Sequence, residues 1–162
     1  MMHENQHMPA CLTHDGRFKR GDEAIETAKF KLPTLSPTGF SASRWLEGCA
    51  SESFSAANVE TAIAFLEQCQ PLKTPNLSSY ALKHAAERWG RHHGMQAYVT
   101  NGELIAAAVY LDFKVKPSVI PNLLVAVSVK DVQRLDPTCI WSRWWRPDLA
   151  ATTQLRDIEI FR

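Results

Sequence analysis

The stretch Thr100-Asn101-Gly102-Glu103-Leu104-Ile105-Ala106-Ala107-Ala108-Val109-Tyr110-Leu111-Asp112-Phe113 decides the fold, because it joins a helix-start signal to a helix that is apolar on nearly every side. Thr100 can accept the amide of Glu103 while the Glu103 carboxylate reaches back to the Thr100 amide, and Val99 and Leu104 stand where a hydrophobic staple closes. Ala106, Ala107 and Ala108 lie among larger apolar residues, so neighbouring backbones can approach closely. A helix apolar all round is normally buried. The expectation is a central helix over about 101–113, with a docking face for a partner helix as its functional alternative.

Upstream, Val59, Ala62, Ile63, Leu66 and Cys69 follow helical spacing, which predicts an amphipathic helix over about 55–70, ended by Pro71 and Pro75. Asn76 or Ser78 can cap a second helix with Leu82, Ala85, Ala86 and Trp89 as its apolar stripe and Gly94 as a left-handed stop. Downstream, Phe113-Lys-Val-Lys-Pro117 alternates and residues 119–127 are rich in β-branched side chains. Pro117 and Pro121 confine any strand there to edges or breaks. Ser128 stands three before Asp131, the start of a short helix through Leu135, and Ile158 to Phe161 reads as a last strand pairing with 123–127. Residues 1–53 are punctuated by proline and glycine, and only Asp22 to Phe30 looks helical there. The fold class that follows is α+β: a small core of three to four helices with a short sheet or hairpin from the C-terminal third. A loop-rich segment over 1–53 precedes a single compact domain over 54–162.

The chain has 162 residues, enough for one core without disulfide staples, and its 45% apolar and 22% charged content is ordinary for a globular protein. Cys11, Cys49, Cys69 and Cys139 form no C-x-x-C pair, which argues for reduced thiols in a cytoplasm. Neither a signal sequence nor an apolar run long enough for a bilayer is present, so no membrane association is expected. The net charge is +1, with only a mild basic excess after residue 113. Dedicated duplex-DNA binders usually carry a stronger basic balance.

Two clusters are candidate contact surfaces. Trp141, Arg143, Trp144, Trp145 and Arg146 interleave aromatic planes with guanidinium groups, a composition that can anchor a protein interface or stack on unpaired bases. Alternatively, one or more of these tryptophans packs inward under the arginines. Lys83, Arg88 and Arg91 are placed for phosphate contact, although Glu87 interrupts them and basic residues near a helix C-terminus are favoured by its dipole in any protein. A helix-turn-helix fits poorly, since the link from Arg91 to Val99 is long and the following helix is apolar.

No P-loop, nucleophile elbow, dinucleotide fingerprint or H-E-x-x-H motif occurs, so neither a cofactor nor an enzymatic activity is expected. His84, His92 and His93 lack ligand spacing for a metal, and Met1-Met2-His3 has only the general form of a copper- or nickel-wrapping terminus. Cys11 with His14, or His84, would suggest catalysis only if brought together in space.

The phrases Ser79-Tyr-Ala-Leu-Lys-His-Ala-Ala-Glu-Arg-Trp89 and Tyr98-Val-Thr-Asn-Gly-Glu-Leu-Ile-Ala-Ala-Ala108, closed by Phe113, resemble a group of short uncharacterised proteins associated with proteobacterial plasmids, integrative elements and prophages. Asp112 stands where that group leads one to expect a glycine. The resemblance spans about a quarter of the chain and implies a context, that of a mobile-element accessory protein, without implying any functional residue. The reading that follows is a non-enzymatic cytoplasmic interaction protein binding a host or element-encoded protein through Trp141 to Arg146. The alternative is a nucleic-acid-binding regulator using Lys83, Arg88 and Arg91.

Overall fold

The computed structural model describes residues 18–40, 53–119 and 121–138, and they form an α+β fold of five helices and two small antiparallel sheets. The helices are α1 (Lys19–Lys31), α2 (Ala56–Leu66), α3 (Ser79–His92), α4 (Asn101–Tyr110) and α5 (Val129–Leu135). The strands are β1 (Leu35–Ser36), β2 (Gly39–Phe40), β3 (Leu77–Ser78), β4 (Val115–Pro117) and β5 (Leu123–Val125). No helix among these residues is long and apolar enough to cross a membrane.

The central helix is α4, buried from Asn101 through Val109. Its apolar circumference has a direct cause, since two clusters of buried side chains meet it from different sides. Leu104, Ala107 and Ala108 join Val59, Ile63, Phe65 and Leu66 of α2, Leu82, Ala85 and Trp89 of α3, and Val125 and Val127. Ile105, Ala106 and Val109 join Ala28 and Leu32 of α1 and its exit with Leu35, Phe40 and Leu123. The alanines let α1 and α2 approach the α4 backbone, as the small-residue spacing predicts. Both bonds of the expected capping box form, with Glu103 N–H donating to Thr100 Oγ1 at 3.2 Å and Thr100 N–H to Glu103 Oε2 at 2.7 Å.

Helices α4 and α2 end short of their expected bounds, and the α4 ending shares its mechanism with that of α3, which stops at Gly94 as expected. The 101–113 helix stops at Tyr110 because Asp112 turns left-handed with φ 57°, and Phe113 N–H reaches back to Ala108 O at 2.9 Å. This is a Schellman ending, normally built on glycine. The α3 ending is the glycine version, with Gly94 at φ 68° and Met95 N–H on Gly90 O at 2.9 Å. The 55–70 helix stops at Leu66; Gln68 and Cys69 close tighter turns onto Phe65 O and Leu66 O, and these deliver the chain to an isolated bridge between Pro71 and Val127.

The larger sheet has the order β3-β5-β4, with both pairings antiparallel. The hairpin of β4 and β5 was expected from residues 113–127, and Pro117 sits on an edge strand as its missing N–H requires. The other edge strand comes from the middle of the chain, where Leu77 pairs with Val125. Asn76 does not cap α3; its side chain instead exchanges two bonds with the Val127 backbone, at 3.0 and 3.1 Å. Within the segment expected to be loop-rich, α1 packs on α2 and α4, and a β1–β2 hairpin follows it. The strand expected at 158–161 lies outside the described residues.

Candidate functional site

The expected α3 surface is only partly available, because the helix directs its basic side chains onto carboxylates. Lys83 Nζ donates to Glu87 Oε1 at 3.0 Å, and Arg88 donates through Nε and Nη2 to Asp136 Oδ2 at 2.9 and 2.6 Å. At about 100° per residue, Lys83 and Arg88 point roughly 140° apart around the helix. Arg91 is exposed in the last turn, where a cation suits the helix dipole. Two of the three residues are therefore already held by carboxylates. Trp141, Arg143, Trp144, Trp145 and Arg146 lie outside the described residues, as do Cys11 and His14.

Glu87 organises the middle of α3. Its Oε1 accepts from Lys83 and from Val99 N–H at 3.3 Å, while His84 Nδ1 meets Oε2 at 2.9 Å. Burial raises the Glu87 carboxyl, but hydrogen bonds from Lys83, His84 and Val99, together with the lysine charge, outweigh it and hold the group below the ordinary carboxylate range. At the end of α3, His93 stacks on Trp89 at 4.2 Å and its Nδ1 lies 2.7 Å from Trp89 O. Among the described residues no cluster of three metal-type side chains forms.

Beside Lys83 lies a groove of about 430 Å³, walled by Pro37, Thr38, Tyr80, Lys83, Tyr98 and Pro121, with Thr100, Asn101 and Asn122 also lining it. Its volume falls in the range of ligand-binding clefts. Tyr80 and Tyr98 are 52% and 61% exposed, which is unusual for rings of this size, whereas Lys83 between them in sequence is 9% exposed. The Lys83 ammonium sits 5.5 Å from the Tyr80 ring centre and 5.7 Å from that of Tyr98, within cation–π range of both. His84 meets the Tyr80 ring edge-on at 4.7 Å.

The groove is held by Asn101 at the start of α4. Its Oδ1 accepts from the Ser79 hydroxyl at 2.8 Å, and its Nδ2 donates to Pro121 O and Asn122 Oδ1, both at 3.1 Å. Ser79 Oγ in turn accepts from Leu123 N–H at 3.1 Å. One carboxamide thus joins α3, α4 and the β4–β5 connection, and buried polar networks of this kind fix geometry when every member is satisfied.

Reasoning from sequence missed Tyr80, Tyr98 and Asn101 as site residues. The legible signal was slight: Tyr80 falls off the apolar stripe of Leu82, Ala85, Ala86 and Trp89, so it must point elsewhere. Nothing local links Tyr98 to it, because only the path from His93 to Thr100 brings the second ring back to α3.

No family model, no curated protein and no solved structure matches the chain.

Proposed function

We propose that the chain is a non-enzymatic interaction protein of the cytoplasm that binds another protein, with the Tyr80–Lys83–Tyr98 groove as a contact surface. The observation that carries this reading is the pair of largely exposed tyrosines gathered around one buried ammonium at a preformed groove. Tyrosine supplies large, rigid contact area with a polar tip, and such residues dominate binding energy at protein interfaces. Residues Trp141 to Arg146 belong to the same proposal as a second contact, and the mobile-element accessory role rests on the sequence resemblance.

Affinity capture with nuclease-treated host lysate tests the reading. A partner retained by the natural chain and lost by Tyr80→Ala/Tyr98→Ala supports it; a partner retained equally by both moves the contact surface elsewhere.

The second reading, nucleic-acid binding, is favoured by one feature: tyrosine rings beside a lysine resemble a base-stacking platform. Against it stand the carboxylates already holding Lys83 and Arg88. Nuclease-sensitive capture that weakens steeply with salt would put this reading first.

A further inference from the structure

We infer that the groove binds a proline-rich segment of a partner protein in the polyproline II conformation, with proline rings on Tyr80 and Tyr98 and a backbone carbonyl on the Asn122 amide. The inference rests on the protein-binding reading above and adds the chemistry of the occupant.

The groove has no charge to spare. Among the described residues lining it, Lys83 is the charged one, and Glu87 Oε1 at 3.0 Å and Val99 O at 3.4 Å already hold its ammonium. The rest of the lining is proline, tyrosine, threonine and asparagine. A phosphate or carboxylate would have to compete with Glu87 for Lys83, and a cationic ligand would meet no carboxylate in the lining.

The direction of the Asn101 network decides what is left for a ligand. Pro121 O can only accept, so the Asn101 atom 3.1 Å from it is Nδ2, and Oδ1 faces the Ser79 hydroxyl. The same Nδ2 donates to Asn122 at 3.1 Å, which therefore turns Oδ1 toward it. Asn122 keeps an NH2 group with no partner among the described residues, and the same is true of the Tyr80 and Tyr98 hydroxyls. The amide acceptors are spent, since Asn101 Oδ1, Asn122 Oδ1 and Pro121 O all accept within the fold. What remains is uncharged donors beside two largely exposed aromatic faces.

The complementary occupant supplies acceptors and apolar surface, and brings neither charge nor donors that need a partner. Proline meets each condition, because it has a carbonyl and no N–H. In polyproline II those carbonyls have no internal partner, and aromatic-lined grooves recognise the preformed helix at low entropic cost. A sugar would bring hydroxyl donors to spent acceptors, and an ordinary extended strand would bring unpaired N–H groups.

A random-peptide display library panned on the full chain tests this, followed by fluorescence anisotropy of the selected peptides with both ends blocked. The expected result is enrichment of proline, binding that scarcely changes with salt, and about tenfold weaker binding when the prolines are replaced by alanine. Asn122→Asp keeps the acceptor for Asn101 and loses the NH2 group, so it should weaken binding about tenfold at an unchanged melting temperature. Equal affinity in that variant would overturn the carbonyl contact. The proline-to-alanine peptides decide the occupant on the natural chain even if a variant fails to fold. Selected peptides that lack proline or are released steeply by salt, yet are lost with Tyr80→Ala/Tyr98→Ala, would overturn the proline-rich occupant and leave the protein-binding reading standing. Selection of no peptide would overturn the inference, and tyrosine-dependent retention of single-stranded oligonucleotides in its place would overturn both readings.

Discussion

The Glu103 carboxylate accepts the Ser55 backbone N–H at 2.8 Å, so the residue that closes the capping box of α4 also reaches the N-cap of α2. The Asn58 side chain donates to the same group at 3.3 and 3.2 Å. Two helix starts distant in sequence are thereby pinned to one side chain. Ser55 Oγ accepts weakly from Asn58 N–H at 3.4 Å and Ser55 O accepts from Val59 N–H at 3.0 Å, so the bond to Glu103 is the shortest of these three. An ordinary cap is worth about 1 kcal/mol, whereas each buried donor left without an acceptor costs about 1–3 kcal/mol. Thr100→Ala should therefore lower stability by about 1 kcal/mol and Glu103→Ala by roughly 2–4 kcal/mol. Urea denaturation of both variants checks the ratio; equal losses would mean that the link to Ser55 contributes nothing.

Most of this centre was legible in the sequence, and the reason is locality. The capping box, the staple and the alanine run of α4 are all determined within one stretch, so spacing alone reveals them. The second role of Glu103 is long-range, and the Ser55 N–H carries no residue identity from which to read it. The candidate site divides in the same way. Lys83 was visible as a basic residue with Glu87 at its i+4 position on the same helix face, but its burial beside Tyr98 depends on how residues 93–100 return to α3. The β3 strand was missed for a related reason: two residues carry no alternation to detect, and Leu77–Ser78 becomes a strand only because Val125 and Leu124 stand opposite.

The left-handed turn at Asp112 carries a steric cost that a glycine would not. For an ordinary side chain the cost is about 1–2 kcal/mol, less for aspartate, which tolerates the conformation locally. The Lys31–Asp112 ion pair at 3.1 Å opposes the exchange, but both groups are well exposed and such pairs contribute about 0–1 kcal/mol. Asp112→Gly should consequently raise stability by about 0.5 kcal/mol, whereas Asp112→Ala, which loses the ion pair and keeps the strain, should lower it. Thermal melts of the two variants in parallel separate conformation from charge.

Asp136 ties the end of α5 to α3. Burial raises its carboxyl, but the hydrogen bonds from Arg88 and Thr138 and the arginine charge outweigh that and hold it below the ordinary carboxylate range. A carboxyl lowered in the folded state stabilises the fold fully above its unfolded value of about 4 and loses that contribution as pH falls through the lower, folded value. The melting temperature should therefore decline from pH 5 toward pH 2, and Asp136→Asn should flatten part of that decline. Arg88→Met should be the more damaging variant at neutral pH, by about 3 kcal/mol, since it strands a carboxylate that is 4% exposed. Equal stability of the two variants at neutral pH would show that Asp136 is hydrated in the absence of Arg88.

Gly102 joins the fold to the groove. As a residue in the first turn of α4 it would be expected to gain about 1 kcal/mol on replacement by alanine, from helix propensity alone. The structure reverses that expectation. A Cβ at this position would collide with Ser36 O, a backbone atom, and the Gly102 N–H donates to Pro37 O at 2.9 Å. The β1–β2 hairpin cannot yield without breaking that bond, and Phe40 N–H is anchored to Pro121 O at 2.9 Å. Gly102→Ala should push the hairpin off α4 and cost about 1–3 kcal/mol net. Because Pro37 and Thr38 wall the groove and Asn101 precedes the substituted residue, the same change should loosen one side of the candidate site. Hydrogen exchange reads this directly: the Phe40 amide should exchange faster in Gly102→Ala while the amides of α2 around Ile63 stay protected. Uniform acceleration across both would indicate global destabilisation, and no change at Phe40 would mean that the hairpin accommodates the methyl group without moving.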